Sequence, residues 1–261
     1  MYSSKDRNTY FVNAIKQLES FNLVEGIIQL GSGVIGYKDL HSDIDLMVAT
    51  SRVEDVEQTK NLIHQTLSGF DPLYIKEKQL RQNIFLLIAI KENKLEFNVS
   101  VVPRELLSVK SPLWKVIVDK TGLITEKMNA EHEHFLSKPV KYNLNIDIAF
   151  EFVYCAMALE KELKRNNVIY ALKMLEEMRD YTLIVQALNE DKKLHQFKAY
   201  ETLDPAFIKA FLSTYPKEVT VENLLVSAEI TKGLFSETLK QSTIFTIDHS
   251  LEKLLNQSLV L

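Results

Sequence analysis

The sequence predicts an α/β (α+β) domain built on a mixed sheet, followed by an all-helical C-terminal domain. Three observations carry this. Apolar runs of strand length, bounded by glycine, asparagine and lysine turns, cluster in the first half. From residue 143 to residue 188 there is neither proline nor glycine, and apolar residues recur at helical spacing. Ser137-Lys138-Pro139 separates the two regimes, which sets the expected domains at 1–138 and 139–261.

Taken in order, residues 9–21 place Phe11, Ala14, Ile15 and Leu18 on one face of an amphipathic helix. Residues 24–30 (VEGIIQL) read as a buried strand ending in Gly31-Ser32-Gly33. Residues 44–49 are a second strand, its apolar run surrounding Asp45, and 56–67 a helix. Residues 84–90 and 95–102 form a hairpin turning at Glu92-Asn93. Pro103 opens a short helix through Leu107, because its missing N–H falls where a helix start needs none. A last short strand at 116–119 is closed by Lys120-Thr121-Gly122. In the second half, helices at 146–165 and 168–188 turn at Asn166-Asn167, Pro205 and Pro216 punctuate further helical segments, and 221–239 is another helix.

Composition limits the function. With 261 residues, 46% hydrophobic and 25% charged, the chain can bury a core, which excludes wholesale disorder. Its apolar runs fall far short of the ~20 residues that span a bilayer, and the charged N-terminus lacks a signal-peptide core. Cys155 is the single cysteine, so no internal disulfide forms, and a reducing cytoplasmic setting is expected. Thirty-one basic against thirty-five acidic residues give −4, without the basic surplus of phosphate-backbone binders. Nucleic acid and membrane are therefore not the expected partners.

Two motifs compete over the glycine stretch. Gly31, Gly33 and Gly36 spell GxGxxG after a strand, the fingerprint of dinucleotide binding. That motif needs a crossover helix before the chain returns to the sheet, and only residues 37–42 separate Gly36 from Asp43. No Gly-Lys-Ser/Thr follows, so a Walker loop is absent too. The second pattern is strand, Gly31-Ser32, ten residues, then Asp43-Ile44-Asp45-Leu46. Aspartates at i and i+2 on a strand project from one face and repel unless a cation sits between them. Oxygen ligands with no histidine or cysteine suit Mg²⁺ or Mn²⁺. A glycine before the serine lets the backbone approach a phosphate closely.

These residues resemble the signature of the nucleotidyltransferase superfamily that includes DNA polymerase β, apolar-Gly-Gly/Ser followed about a dozen residues later by Asp-apolar-Asp/Glu. The helical half carries Phe150, Phe152 and Tyr154, then Lys161, Arg165, Tyr170 and Arg179. This order is similar to the C-terminal helices of bacterial aminoglycoside adenylyltransferases. The resemblance implies a nucleotidyltransferase catalytic domain at 1–138. It implies an enzyme that moves a nucleoside monophosphate, AMP from ATP, to a hydroxyl of a small acceptor such as an aminoglycoside antibiotic, with a role in resistance. A third metal-binding carboxylate is expected on a later strand, where Glu96 alternates with Leu95 and Phe97 and Asn98 shares its face. Glu96 is a mild departure, since many relatives carry Asp there.

On that reading Asp43, Asp45 and Glu96 are the catalytic metal ligands, and the cofactors are Mg²⁺ or Mn²⁺ and a nucleoside triphosphate, ATP. Gly31 and Ser32 cradle the β- and γ-phosphates. Lys38 either adds positive charge there or is a solvated loop lysine. Lys161 and Arg165, at i and i+4, either meet the triphosphate or face solvent. Glu151 is the general base for the acceptor hydroxyl or binds a cationic substrate, with Asp147 as the alternative. His132 and His134 could pair on a metal but lie in a polar segment. His41 reads as loop structure, Cys155 as a small core residue and Trp114 as packing. Transfer to RNA or protein, or a catalytically weak nucleotide-binding relative with a regulatory role, are the competing functions. Acceptor, base preference and oligomeric state leave no mark in the sequence.

Overall fold

Residues 24–30 form a strand in which six of seven residues are buried, Glu25 and Gln29 among them, and it sits inside the sheet rather than at its edge. The structure is a computed structural model that describes residues 2–36, 41–142, 144–193 and 200–259. The chain divides into two compact units, Met1–Lys138 and Pro139–Leu261.

The first unit holds a helix α1 (Ser4–Glu19), strands β1 (Val24–Leu30) and β2 (Ile44–Thr50), helix α2 (Val56–Ser68), strands β3 (Tyr74–Arg81), β4 (Ile84–Ile90), β5 (Glu96–Pro103) and β6 (Trp114–Asp119), and helix α3 (Leu123–Ser137). The sheet order is β3-β4-β5-β2-β1-β6. It is mixed: β2 and β5 run parallel, and the other neighbours are antiparallel. One face packs on α1 and α2, where Ala14, Leu18, Ile63 and Leu67 meet Ile44, Leu46, Val48, Leu87, Phe97 and Val99. A bulge between Val24 and Gly26 lets Val24 and Ile27 both reach this core, although they are three residues apart. The opposite face of β1 is covered by α3: a Cβ on Gly26 would lie 2.7 Å from Ile124 Cγ1 and 2.9 Å from the Val118 carbonyl.

Three elements differ from the sequence expectation. Helix α1 begins at Ser4 rather than residue 9, because Ser3 and Asp6 form a reciprocal capping box that starts the helix early. The unexpected strand β3 is an edge strand whose side chains are exposed almost throughout, so no buried alternation marks it. The polar segment containing His132 and His134, given no element in the sequence reading, lies in α3, which starts where the Asp119 carboxylate accepts the N–H groups of Thr121, Gly122 and Thr125 and the Thr125 hydroxyl. Partial burial opposes ionisation of Asp119, yet these four donors hold its carboxyl below the usual range. After Pro103 the chain makes only a 3₁₀ turn, Arg104–Leu106.

The second unit is helical throughout its regular elements: α4 (Ile148–Lys164), α5 (Val168–Asn189), α6 (Pro205–Leu212), α7 (Val221–Lys240) and α8 (His249–Gln257). Phe152 of α4 stacks on Phe235 of α7 with centroids 3.7 Å apart, at the centre of a core shared with Leu159, Leu175, Met178 and Leu255. Among the described residues no helix is long and apolar enough to cross a membrane.

Replacing Gly26 with alanine puts a methyl group where Ile124 and the Val118 carbonyl already stand. We expect Gly26→Ala to lower unfolding free energy by about 1–3 kcal/mol, read from urea denaturation midpoints at unchanged m-value.

Candidate active site

The glycine stretch forms a turn, not the start of a crossover helix. Residues Gly31–Ile35 make a 3₁₀ turn, closed by Gly36 at φ 87°, and β1 and β2 are antiparallel neighbours. A dinucleotide fold needs parallel strands joined across a helix, so its fingerprint here is accidental. Gly31 itself has φ +66°, and its N–H donates to the Leu113 carbonyl at 3.1 Å. A Cβ at Gly31 would fall 2.6 Å from Asp45 Oδ2. The missing side chain thus brings the turn against the carboxylate that the sequence pattern singles out. Ser32 follows it, half-buried. Lys38 lies outside the described residues.

Pleating puts Asp45 on the side of β2 facing away from α1 and α2, since its neighbours Ile44 and Leu46 are in that core. The parallel partner β5 does the same with Glu96, Asn98 and Ser100, all half-buried, between the buried Phe97, Val99 and Val101. The register sets Asp45 beside Asn98 and Ile44 beside Phe97, so Asp43 and Glu96 immediately precede a matched pair. Asn98 Nδ2 donates to Asp45 Oδ1 at 3.2 Å. This amide was not given a role by the sequence pattern; its shared face with Glu96 was the available signal. It holds the orientation of the Asp45 carboxylate.

The donor set fits a hard divalent cation. Asp43, Asp45 and Glu96 offer carboxylate oxygens, and magnesium takes one or two carboxylates while drawing the rest of its shell from substrate phosphates and water. Among the described residues no three His, Cys, Asp or Glu side chains gather into a group that could hold a metal by itself. His132 is engaged otherwise: its Nδ1 accepts the Trp114 Nε1–H at 3.2 Å, which ties α3 to β6.

The remaining site candidates belong to the second unit. Asp147 is the N-cap of α4, its carboxylate accepting the Phe150 N–H at 3.1 Å. Glu151, one turn on, is half-buried and stands in an acidic environment that sequence reading missed. Glu151 and Cys155 on α4 face Glu177 and Tyr181 on α5, each pair spaced i, i+4. Burial first, then the Glu177 and Glu151 charges, push the Cys155 thiol up to about 11. Tyr181 is pushed up to about 12 by burial, then by Cys155 and by Glu177, Glu151 and Asp180. The matching i, i+4 pairs on successive helices were the signal for this cluster. Phe150 and Tyr154 stack beside Glu151, both exposed, with centroids 6.0 Å apart. Lys161 is exposed, whereas Arg165 pairs with Glu162 at 2.6 Å.

Residues 23–252 match the family model of streptomycin adenylyltransferase. The chain belongs to that family and is a nucleotidyltransferase, an enzyme of the superfamily whose signature its first domain carries. No curated protein matches the sequence. Among solved structures it is similar to an aminoglycoside 6-adenyltransferase from Bacillus subtilis, at 14% identity over 98% of this chain and 97% of that one, with TM-score 0.44. A nucleotidyltransferase-like protein from Exiguobacterium sibiricum aligns at 11% identity over 89% and 76%, with TM-score 0.41. A STING-associated CdnE c-di-GMP synthase from Capnocytophaga granulosa aligns at 11% identity over 91% and 82%, with TM-score 0.31.

Two measurements follow from this geometry. Gly31→Ala forces a left-handed backbone on alanine and a methyl group onto Asp45. It should lose about 1–2 kcal/mol of stability in urea titrations. The raised Cys155 pKa makes the thiol resist alkylation in the folded chain at pH 8 and react on unfolding, read by mass spectrometry. Because the folded value lies above the ordinary 9.0, the associated stability is intact below pH 9 and is lost as pH climbs through about 11. A Cys155→Ala variant should show a shallower alkaline decline in melting temperature.

Proposed function

We propose that the enzyme transfers AMP from ATP, with Mg²⁺ or Mn²⁺, to a hydroxyl of a small cationic acceptor of the aminoglycoside type. The observation that carries the reading is the junction of Gly31 with Asp45, oriented by Asn98, in a chain whose family is streptomycin adenylyltransferase. The acceptor oxygen attacks the α-phosphorus in line, the bond from that phosphorus to the bridging oxygen breaks, and pyrophosphate leaves. A bound divalent cation would neutralise the triphosphate and lower the pKa of the attacking hydroxyl. Asp43 and Asp45, with Glu96, are the residues that would hold it.

The chain's own residues supply positioning and charge, which account for most of the rate in phosphoryl transfer. The Gly31-Ser32 turn is assigned to the β- and γ-phosphates, chiefly through Ser32 because the Gly31 N–H is given to the Leu113 carbonyl, and Lys38 is assigned to the same charge. Glu151 is the residue to take the acceptor's proton, in preference to Asp147, whose carboxylate is used in capping α4. Lys161 and Arg165 are assigned to triphosphate charge on residue type alone; Arg165 must first leave Glu162. The exposed Phe150 and Tyr154 beside Glu151 and Glu177 suit an acceptor with a cationic amine and an apolar sugar face.

The test is incubation with labelled nucleotides, Mg²⁺ and a panel of aminoglycosides, simple polyols, RNA and protein, scoring pyrophosphate release and adduct mass. An AMP adduct on an aminoglycoside is the expected result. Adducts confined to RNA or protein, or triphosphate binding with no transfer, would overturn the acceptor or the enzymatic reading respectively. Asp45→Asn keeps an oxygen to accept the Asn98 amide and should leave melting unchanged or slightly raised, while cutting transfer at least ~10²-fold. Early melting with full Mg²⁺–nucleotide stabilisation would make the aspartate structural.

A further inference from the structure

Helix α1 ends at Glu19, before the family match begins at residue 23. It nevertheless reaches the peptide that carries Asp43. Arg7 Nη1 donates to the Ser42 carbonyl at 3.0 Å, and Tyr2 Oη donates to the same oxygen at 3.1 Å. Arg7 is 2% exposed and Tyr2 7%, although one is a permanent cation. Two buried donors therefore occupy both acceptor sites of a single carbonyl, thirty-five and forty residues away in sequence.

The position of that carbonyl gives the contact its consequence. The Ser42 oxygen belongs to the peptide unit whose nitrogen is that of Asp43. A peptide unit is planar, so holding its oxygen fixes the direction of the Asp43 N–Cα bond and the entry into β2. The anchor itself is rigid. The Ser3–Asp6 box locks the first turn of α1, Arg7 stands in the next, and Ala14 and Leu18 root the helix in the sheet core. A cationic N–H to a carbonyl is also stronger than a neutral one.

We propose that α1 is part of the catalytic apparatus: Arg7 and Tyr2 are positioning residues that hold the Ser42 carbonyl and through it present Asp43 to the metal–nucleotide. This rests on the nucleotidyl-transfer reading of Asp43 and Asp45. A purely structural clamp would govern melting alone. A positioning clamp governs metal affinity and turnover at temperatures where the variant is fully folded.

The test uses the full chain, well below each variant's melting midpoint. Free Mn²⁺ is counted by electron paramagnetic resonance during titration with a non-hydrolysable ATP analogue present, and turnover is read as pyrophosphate release. Arg7→Met should weaken Mn²⁺ binding about 10-fold and lower kcat by that factor or more, with the nucleotide KM within about 3-fold of wild type. Arg7→Lys, which can still donate a charged N–H, should restore most of both. Tyr2→Phe keeps the buried ring and removes one donor, so its losses should be about 2–3-fold, and it tests the clamp even if Arg7→Met does not fold. Folded Arg7→Met and Tyr2→Phe proteins with wild-type Mn²⁺ affinity and kcat would overturn the inference. Wild type that neither binds Mn²⁺–nucleotide nor releases pyrophosphate overturns the underlying reading instead, and with it this one. Equal Mn²⁺ binding by wild type and Asp45→Asn does the same for the metal site.

Discussion

The parallel pairing of β2 with β5 is the constraint on which the first unit depends. Its register decides two things with one set of hydrogen bonds. Ile44, Leu46 and Val48 face the α1–α2 core together with Phe97, Val99 and Val101, and the alternate positions turn Asp45, Glu96 and Asn98 the other way. A slip of one residue would drive the carboxylates into the core and expose the apolar set. The energy of core burial therefore also enforces the polar constellation, at ~1.5–3 kcal/mol for each large apolar side chain removed from water. The candidate site needs no separate force to assemble its strand-borne residues.

Around that pair, the turn after β1 contributes proximity and α1 contributes direction. Gly31 is the one residue type that tolerates φ +66° and also leaves Asp45 Oδ2 its place. Two aspartates on one strand face repel each other, so a metal-free chain needs compensating donors near them. Asn98 provides one, to Asp45. Burying the Arg7 guanidinium is costly unless its N–H groups are used, and the Ser42 carbonyl uses one of them beside Asp43. Stabilising contacts thus lie at both ends of the Asp43–Asp45 segment.

Much of this was legible in the sequence, for a physical reason. Buried strands announce themselves by composition, and a period of two fixes which face each residue takes, so the relation of Asp45 to Asn98 and Glu96 needed only the correct strand assignment. Strand β3 was illegible because an exposed edge strand carries Lys76, Glu77, Lys78 and Arg81 and has no apolar alternation to read. Helix α3 was missed because few of its side chains are buried, Ile124, Met128 and Phe135 among them, and Asp119 organises its start from before the N-cap. Arg7 and Tyr2 left no local signal, since their acceptor is a backbone atom of a residue distant in sequence. The early start of α1 could have been read from Ser3-x-x-Asp6.

The second unit shows the same economy on helices. A period of 3.6 buries Phe152, Ala156 and Leu159 on one stripe of α4 and leaves Phe150, Glu151 and Tyr154 off it. Crossing α5 brings Glu177 and Tyr181 to Glu151 and Cys155. Burial and like charge there disfavour any further anion, as the raised thiol and phenol record. Such a surface rejects a phosphate and welcomes an amine. The acidic, aromatic surface of the helical unit suits the cationic acceptor we propose, and the carboxylates of the sheet unit suit the metal–nucleotide we propose.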